Sequence, residues 1–226
     1  MSLRAIVFDF DGVIANSEPL HFRGYRDVLA AAGIVLAEPD YYAQYLGFDD
    51  VGAFQAIGER HGAAWTRARI DALIARKAAR LEEIERDVAV LFPGAADAIR
   101  RAAAAMPIAI ASGARGEEIR RALIREDLLG CFTAIVAAED TPVSKPAPDP
   151  YRRAVALLAP AFGHALRAAE CIAIEDSQWG LDSARAAGLH TVAVTNTYRA
   201  AQLRADLTIP SLEGMDLGLF AHLCSD

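Results

Sequence analysis

Short apolar runs alternate with amphipathic segments over most of the chain, and this pattern predicts an α/β fold. The first run, residues 4–8, lacks the polar alternation of a half-solvated strand, so it predicts a strand buried on both faces. Similar strands are predicted at residues 107–111, 132–136, 170–175, 190–194 and 206–209. Because helical segments separate them, the pattern indicates βαβ units and a parallel sheet that helices cover on both faces.

A long helical block follows the first predicted strand. Ser17 and Pro19 are helix start signals, and apolar residues then recur at helical spacing in residues 40–46, 51–60 and 66–86. We therefore expect two domains: residues 1–16 and 91–226 form an α/β core, and residues 17–90 form an inserted helical domain.

Composition excludes several classes of function. The net charge of −7 lacks the basic footprint of a nucleic-acid-binding protein. No apolar run has the length of a membrane span, and the N-terminus has no secretory signal pattern. The three cysteines indicate neither a zinc site nor a disulfide framework. We expect a cytoplasmic monomer that binds neither nucleic acid nor a membrane.

Residues that can carry chemistry follow four of the predicted strands. They are Asp9 with Asp11, Ser112, Lys145 in a Pro-rich loop, and Glu175 with Asp176. Because ligands of parallel sheets bind beyond the carboxyl ends of the strands, we expect these side chains at one edge. A polar Asp-Gly turn would explain the first pair alone, but not all four positions. Two carboxylates so close repel each other, and Mg²⁺, which prefers oxygen ligands, would relieve the repulsion.

Together these residues supply the components of phosphoryl transfer. Asp9 would attack phosphorus and form an aspartyl-phosphate, and Asp11 would act first as general acid and then as general base. Ser112 with its neighbouring amides, and Lys145, would bind the phosphoryl oxygens. The metal would be held by Asp9, a backbone carbonyl at Asp11, Asp176 and, directly or through water, Glu175.

The chain also resembles the haloacid dehalogenase (HAD) superfamily in the order and spacing of four motifs: FDFDGVIANS, IASGA, SKPAPDPY and IEDSQWG. The helical insertion resembles the α-helical cap of the branch that holds phosphoglycolate phosphatase and β-phosphoglucomutase. The resemblance implies a Rossmann-like, three-layer parallel-sheet core with an inserted all-helical cap. It further implies a Mg²⁺-dependent phosphatase acting on a small phosphorylated metabolite, phosphoglycolate-like or a sugar phosphate. Asp11 and the Glu175-Asp176 pair argue against a dehalogenase.

The same resemblance implies which residues bind the substrate. His21 and Lys77 match cap positions that approach the substrate in related enzymes, and Gly12 and Gly113 adjoin the phosphoryl site. A partly buried histidine and a solvated helix lysine are the alternatives for the two cap positions. The related mutase binds a second phosphate with a cap-loop arginine, whereas residues 46–50 here read Leu-Gly-Phe-Asp-Asp. Acidic side chains there would repel a bisphosphate, which favours a phosphatase.

Two alternatives stay open, and the sequence argues against a third. A phosphomutase would use the same residues, and a non-catalytic phosphate-ligand-binding protein would share the fold, although every catalytic position is filled here. A receiver-type signalling domain has its acidic pair on the first strand and its acceptor aspartate on a later one, which is the reverse of the order found here. The substrate itself is not specified by the sequence.

Overall fold

The computed structural model describes residues 2–46, 48–86, 88–163 and 165–225. It divides into two compact units. The core unit contains the residues up to Asn16 together with those from Leu91 onward, and the helical unit spans Ser17–Val90.

In the described part of the core unit, six parallel strands form one sheet in the order β3-β2-β1-β4-β5-β6. The strands are β1 (Ala5–Phe8), β2 (Ile108–Ala111), β3 (Ala134–Val136), β4 (Cys171–Glu175), β5 (His190–Val194) and β6 (Leu207–Ile209). Every residue of β1, β2 and β4 is buried, which explains why these strands are continuously apolar in sequence. The Rossmann-like fold predicted from the sequence is confirmed.

The helical unit contains, among its described residues, the helices α1 (Glu18–Ala30), α2 (Glu38–Gln44), α3 (Asp50–Arg60) and α4 (Arg67–Glu85). The side chain of Asp49 caps α3 by accepting from Gly52 N at 2.7 Å, and Thr66 caps α4 in the same way. The unit has an apolar core of its own, which includes Leu29, Phe54 and Leu73. Gly47, part of the 46–50 stretch discussed above, lies outside the described residues.

Besides the sheet, the described part of the core unit contains the helices α5 (Ala95–Ala105), α6 (Gly116–Arg125), α7 (Asp149–Leu158), α8 (Gln178–Ala186) and α9 (Leu217–Leu223). On α7, Tyr151, Ala154 and Leu158 are buried in one cluster with β-strand residues such as Val7 and Ala109. No described helix is both long enough and apolar enough to cross a membrane.

Candidate active site

The register of the sheet places the candidate residues at one edge. Phe8 of β1 lies beside Ile174 of β4, and Asp9 N donates to Ile174 O at 2.9 Å. Asp9 is therefore level with Glu175, the last residue of β4. Strand β2 pairs with the other side of β1 and ends just before Ser112. Polar residues that follow these neighbouring parallel strands consequently lie at the same carboxyl edge.

Asp9, Lys145, Glu175 and Asp176 form a buried group, which we call the core cluster. Lys145 Nζ lies 2.9 Å from Asp9 Oδ1 and donates to Glu175 Oε1 at 2.5 Å. The three carboxylates offer oxygen atoms that all lie within 4.8 Å of one another. Asp9 Oδ1 is buried, and the Lys145 ammonium contacts it. The cluster therefore contains more carboxylates than its single lysine can balance.

Burial and mutual repulsion determine the electrostatics of the core cluster. Burial, followed by the charges of Glu175 and Asp9, raises the pKa of Asp176 well above its ordinary value. Burial and Asp9 also raise the pKa of Glu175, although Lys145 opposes them. Burial alone would lower the pKa of Lys145, but the charges of Asp9 and Glu175 outweigh it and raise that pKa. The lysine is thus held in its charged form, while the carboxylates are short of positive charge.

The donor set of the core cluster fits a hard divalent cation. Carboxylate oxygens are the ligands that Mg²⁺ prefers, and the cluster gathers three buried carboxylates around one lysine. Gly12 also leaves room beside Asp176: its φ is 74°, and a β-carbon there would collide with the Asp176 carboxylate. Three carboxylates, those of Asp9, Glu175 and Asp176, can therefore act as ligands of one ion.

Glu175 is the most deeply held carboxylate of the cluster. It is fully buried, and in addition to Lys145 it accepts from Tyr151 Oη at 2.7 Å and from Ser177 Oγ at 3.2 Å. Ser177 is the N-cap of α8 and accepts from Gly180 N at 3.2 Å, and a β-carbon on Gly180 would overlap the Glu175 carboxylate. This packing fixes Glu175 and, through it, the Lys145 ammonium. Tyr151 was not singled out from the sequence, although it ends the SKPAPDPY motif.

Comparison with known proteins identifies the family. Residues 3–188, which are more than half of the chain, match the family described as haloacid dehalogenase-like hydrolase. The chain belongs to this family. The resemblance stated from the four motifs is thereby confirmed, and the chain is a HAD-type hydrolase.

Individual relatives agree with this assignment. The chain is 33% identical over 221 residues to Protein CbbY of Rhodobacter capsulatus, covering 94% of this chain and 95% of that protein. It is 30% identical over 225 residues to a phosphoglycolate phosphatase of Cereibacter sphaeroides, covering 96% and 93% respectively. The crystal structure of CbbY from Rhodobacter sphaeroides in complex with phosphate has a TM-score of 0.81 at 24% identity and covers 95% of this chain and 96% of that one. That structure shares the fold.

Other predicted site residues of this HAD-like hydrolase lie on loops next to the core cluster. Asp11 is half-buried in the tight turn after β1, where Gly12 N donates to Ala15 O at 2.9 Å. Ser112 is buried after β2, and its Oγ accepts from Ala114 N at 3.1 Å. Gly113 is exposed, with open space where a side chain would be. These residues follow the two neighbouring strands β1 and β2, as expected.

Two residues that the sequence analysis did not select also lie at this edge. Asn196 Nδ2 donates to Gly12 O at 2.8 Å, and the Thr197 hydroxyl hydrogen-bonds the Asp176 carboxylate. Both residues come directly after β5, so the rule that selected the other loops applies to them as well. In sequence, however, Thr195-Asn-Thr is indistinguishable from an ordinary polar turn.

His21 and Lys77 lie in the helical unit, within a second buried polar group that we call the helical cluster and that also contains Tyr25 and Asp50. Lys77 is 3% exposed, forms an ion pair with Asp50, and has its Nζ 2.9 Å from His21 Nδ1. Tyr25 Oη donates to Asp50 Oδ1 at 2.6 Å. Burial alone would raise the pKa of Asp50, but the Lys77 charge outweighs it and lowers that pKa. The Lys77 ammonium is therefore neutralised inside the helical unit.

Proposed function

We propose that this HAD-like hydrolase is a Mg²⁺-dependent phosphatase that hydrolyses a small organic phosphate monoester through an aspartyl-phosphate intermediate. The core cluster carries the proposal, because it combines a buried lysine with an excess of buried carboxylates. A phosphoglycolate-like acid or a sugar phosphate is the proposed substrate class, in line with the relative named phosphoglycolate phosphatase.

Asp9 is the proposed nucleophile. Its carboxylate attacks phosphorus, the bond from phosphorus to the ester oxygen breaks, and Asp11 gives its proton to the departing alkoxide. In the second step, Asp11 takes a proton from water, which attacks phosphorus and releases phosphate and free Asp9. Asp11 suits both steps because it is half-buried on the turn directly after the nucleophile.

The remaining residues stabilise negative charge. Asp9, Asp176, Glu175 and a backbone carbonyl at Asp11 are the proposed holders of Mg²⁺, which when bound supplies positive charge between two anions. Lys145, already 2.9 Å from Asp9, is placed to bind a phosphoryl oxygen of a group bonded to that carboxylate. The other proposed phosphoryl-binding groups are the Ser112 hydroxyl and the loop backbone at Gly12 and Gly113.

We assign the choice of substrate to the helical unit, residues 17–90, as the cap domain, with His21 and Lys77 as its candidate binding residues. Asp50 belongs to the stretch 46–50, which matches the cap loop where the related mutase has an arginine, and here it is paired with Lys77. This pair offers no uncompensated positive charge to a second phosphate, which favours a phosphatase over a phosphomutase. We further propose that the enzyme works as a cytoplasmic monomer.

Phosphate release from a panel of monoesters tests this proposal. The panel contains phosphoglycolate, hexose 1- and 6-phosphates, pentose phosphates and nucleoside monophosphates, each assayed with Mg²⁺ and with a chelator. We expect release that the chelator abolishes and that is strong for phosphoglycolate or one sugar phosphate. Conversion of β-glucose 1-phosphate to the 6-phosphate without release would instead establish a mutase. Absence of both reactions would point to a non-catalytic binding protein.

A further inference from the structure

The loop after β5 contacts two different parts of the candidate site. Asn196 donates from its amide to the backbone carbonyl of Gly12 at 2.8 Å, a contact between residues 184 positions apart in sequence. The hydroxyl of Thr197, the next residue, hydrogen-bonds the carboxylate of Asp176. One short loop thus reaches both the turn after β1 and the acidic pair after β4.

The contact between Asn196 and Gly12 stabilises the turn after β1, which carries Asp11. Gly12 adopts a φ of 74°, and a β-carbon on it would meet both the Asp176 carboxylate and, at 2.8 Å, the Thr197 hydroxyl. The Gly12 N–H donates to Ala15 O within the same turn, so Asn196 supplies the hydrogen bond on the carbonyl side. Both polar groups of this glycine are therefore fixed, and the turn that carries Asp11 is held in one conformation.

The loop itself is anchored away from the site. Thr195 N donates to Ile209 O at 3.2 Å, which ties the loop to β6. The Tyr198 ring packs edge-on against Trp179 of α8, with 5.7 Å between centroids, and also packs against the buried cluster around Leu181. Asn196 and Thr197 lie between these two anchors, so their polar groups are presented from a fixed backbone.

We propose that Asn196 and Thr197 are positioning residues that complete the site from a fifth strand-end loop. Asn196 acts through Gly12 on the turn that carries Asp9 and Asp11, and Thr197 holds Asp176 in the orientation that binds the metal. Hydrogen bonds from outside the ligand set that orient a ligand are worth about 10- to 100-fold in metal affinity or activity. The inference rests on the proposed function only for its effect on turnover, because its effect on metal binding can be measured separately.

Three variants of the full chain test the proposal. Asn196→Leu and Thr197→Val remove the donors while nearly keeping side-chain size, and Thr195→Val is the matched control because Thr195 Oγ1 bonds Pro210 O at 3.3 Å instead of the site. We measure the Mg²⁺ dissociation constant by calorimetry without substrate, the melting temperature, and kcat and KM on an aryl phosphate. Thr197→Val should weaken Mg²⁺ binding about 10-fold, and Asn196→Leu should lower kcat about 10-fold with little change in KM. Thr195→Val should match the wild type in Mg²⁺ affinity and turnover.

The outcomes separate the two proposals. Wild-type Mg²⁺ affinity and kcat in both site variants would overturn the positioning roles while leaving the phosphatase intact. If the wild type released no phosphate from any ester, the proposed function would fail, and the Mg²⁺ affinities alone would decide the inference. Equal losses in Thr195→Val would show that the loop matters only for folding and would also overturn it. Should Asn196→Leu fold poorly, Asn196→Ala removes the same donor with less bulk.

Discussion

Each of the two units buries a lysine beside at least one carboxylate, but the number of carboxylates per lysine differs. In the helical cluster, Lys77 meets one carboxylate, Asp50, together with the ring nitrogen of His21. In the core cluster, Lys145 meets Asp9 and Glu175, and Asp176 lies within ligand distance of both acids. In the first cluster one carboxylate balances the lysine, whereas the second has two carboxylates more than its lysine balances.

The charge balance of a buried cluster can indicate whether the cluster is a catalytic site or a structural ion pair. In a balanced buried ion pair each charge compensates the other, so the pair can have a purely structural role. An excess of buried carboxylates around one lysine is costly unless a cation, or an anionic substrate with its cation, binds there. The proposed chemistry therefore belongs to the core cluster, and variants of the two clusters test this difference.

The largest effect is expected from Asp9→Asn. The amide is nearly isosteric with the carboxylate but does not attack phosphorus, so kcat should fall by at least about 10⁴-fold. The fold should be kept, because the change removes one charge from a cluster that has too many. Phosphate release and the melting temperature, measured on the same preparation, check both statements. Full activity in this variant would overturn the nucleophile assignment.

The next effect is expected from Lys145→Met. This change removes the positive charge that lies 2.9 Å from Asp9 Oδ1, and transition-state charge would lose a preorganised partner. We expect kcat to fall by about 10²- to 10³-fold at saturating Mg²⁺. Steady-state kinetics on the best substrate of the panel measure it. A kcat within about twofold of wild type would show that Lys145 only balances charge, and the two lysines would then be alike.

The fold was largely predictable because its main strands are buried on both faces and are therefore continuously apolar. Two helices show where local pattern is insufficient. Helix α6 ends at Arg125, because Asp127 adopts a left-handed φ of 53° and Leu128 N turns back to Leu123 O, and helical spacing alone does not reveal this end. Helix α9 was not predicted from the sequence.

The site was predictable where strand ends and residue chemistry agree, as at Asp9 and Lys145. Asn196 follows a strand as well, but an asparagine between threonines carries no chemical signal, and its partner is the distant carbonyl of Gly12. The sequence also did not show that Lys77 is buried in an ion pair. Helical spacing places it on α4, but its pairing with Asp50 depends on how α3 and α4 pack.

A smaller effect, on stability, is expected from Lys77→Met. The apolar stem is kept, but Asp50 remains partly buried without its partner, which should lower the free energy of unfolding by about 2 kcal/mol. Urea unfolding measures the loss. Adding Asp50→Leu in the same chain should recover most of it, because an apolar pair can replace a buried ion pair. Unchanged stability together with an altered substrate preference would make Lys77 a substrate contact and end the contrast between the clusters.

The smallest effect is the pH dependence of the helical cluster. An unfolded aspartate titrates near pH ~3.9. Although burial opposes it, the Lys77 charge lowers the pKa of Asp50 in the folded protein. The ionised Asp50 therefore stabilises the fold above about pH 4, and this contribution is lost as the pH falls through the folded-state pKa.

The Asp50→Asn variant removes this titration, so its comparison with the wild type reports the contribution of Asp50. The difference in free energy of unfolding between wild type and variant should shrink as the pH falls from about 5 to below about 4. Urea unfolding at several pH values down to about pH 3 provides the measurement. A difference that stays constant over the whole range would mean that Asp50 titrates alike in the folded and unfolded chain. Lys77 would then not hold the Asp50 charge, and the helical cluster could not be called balanced.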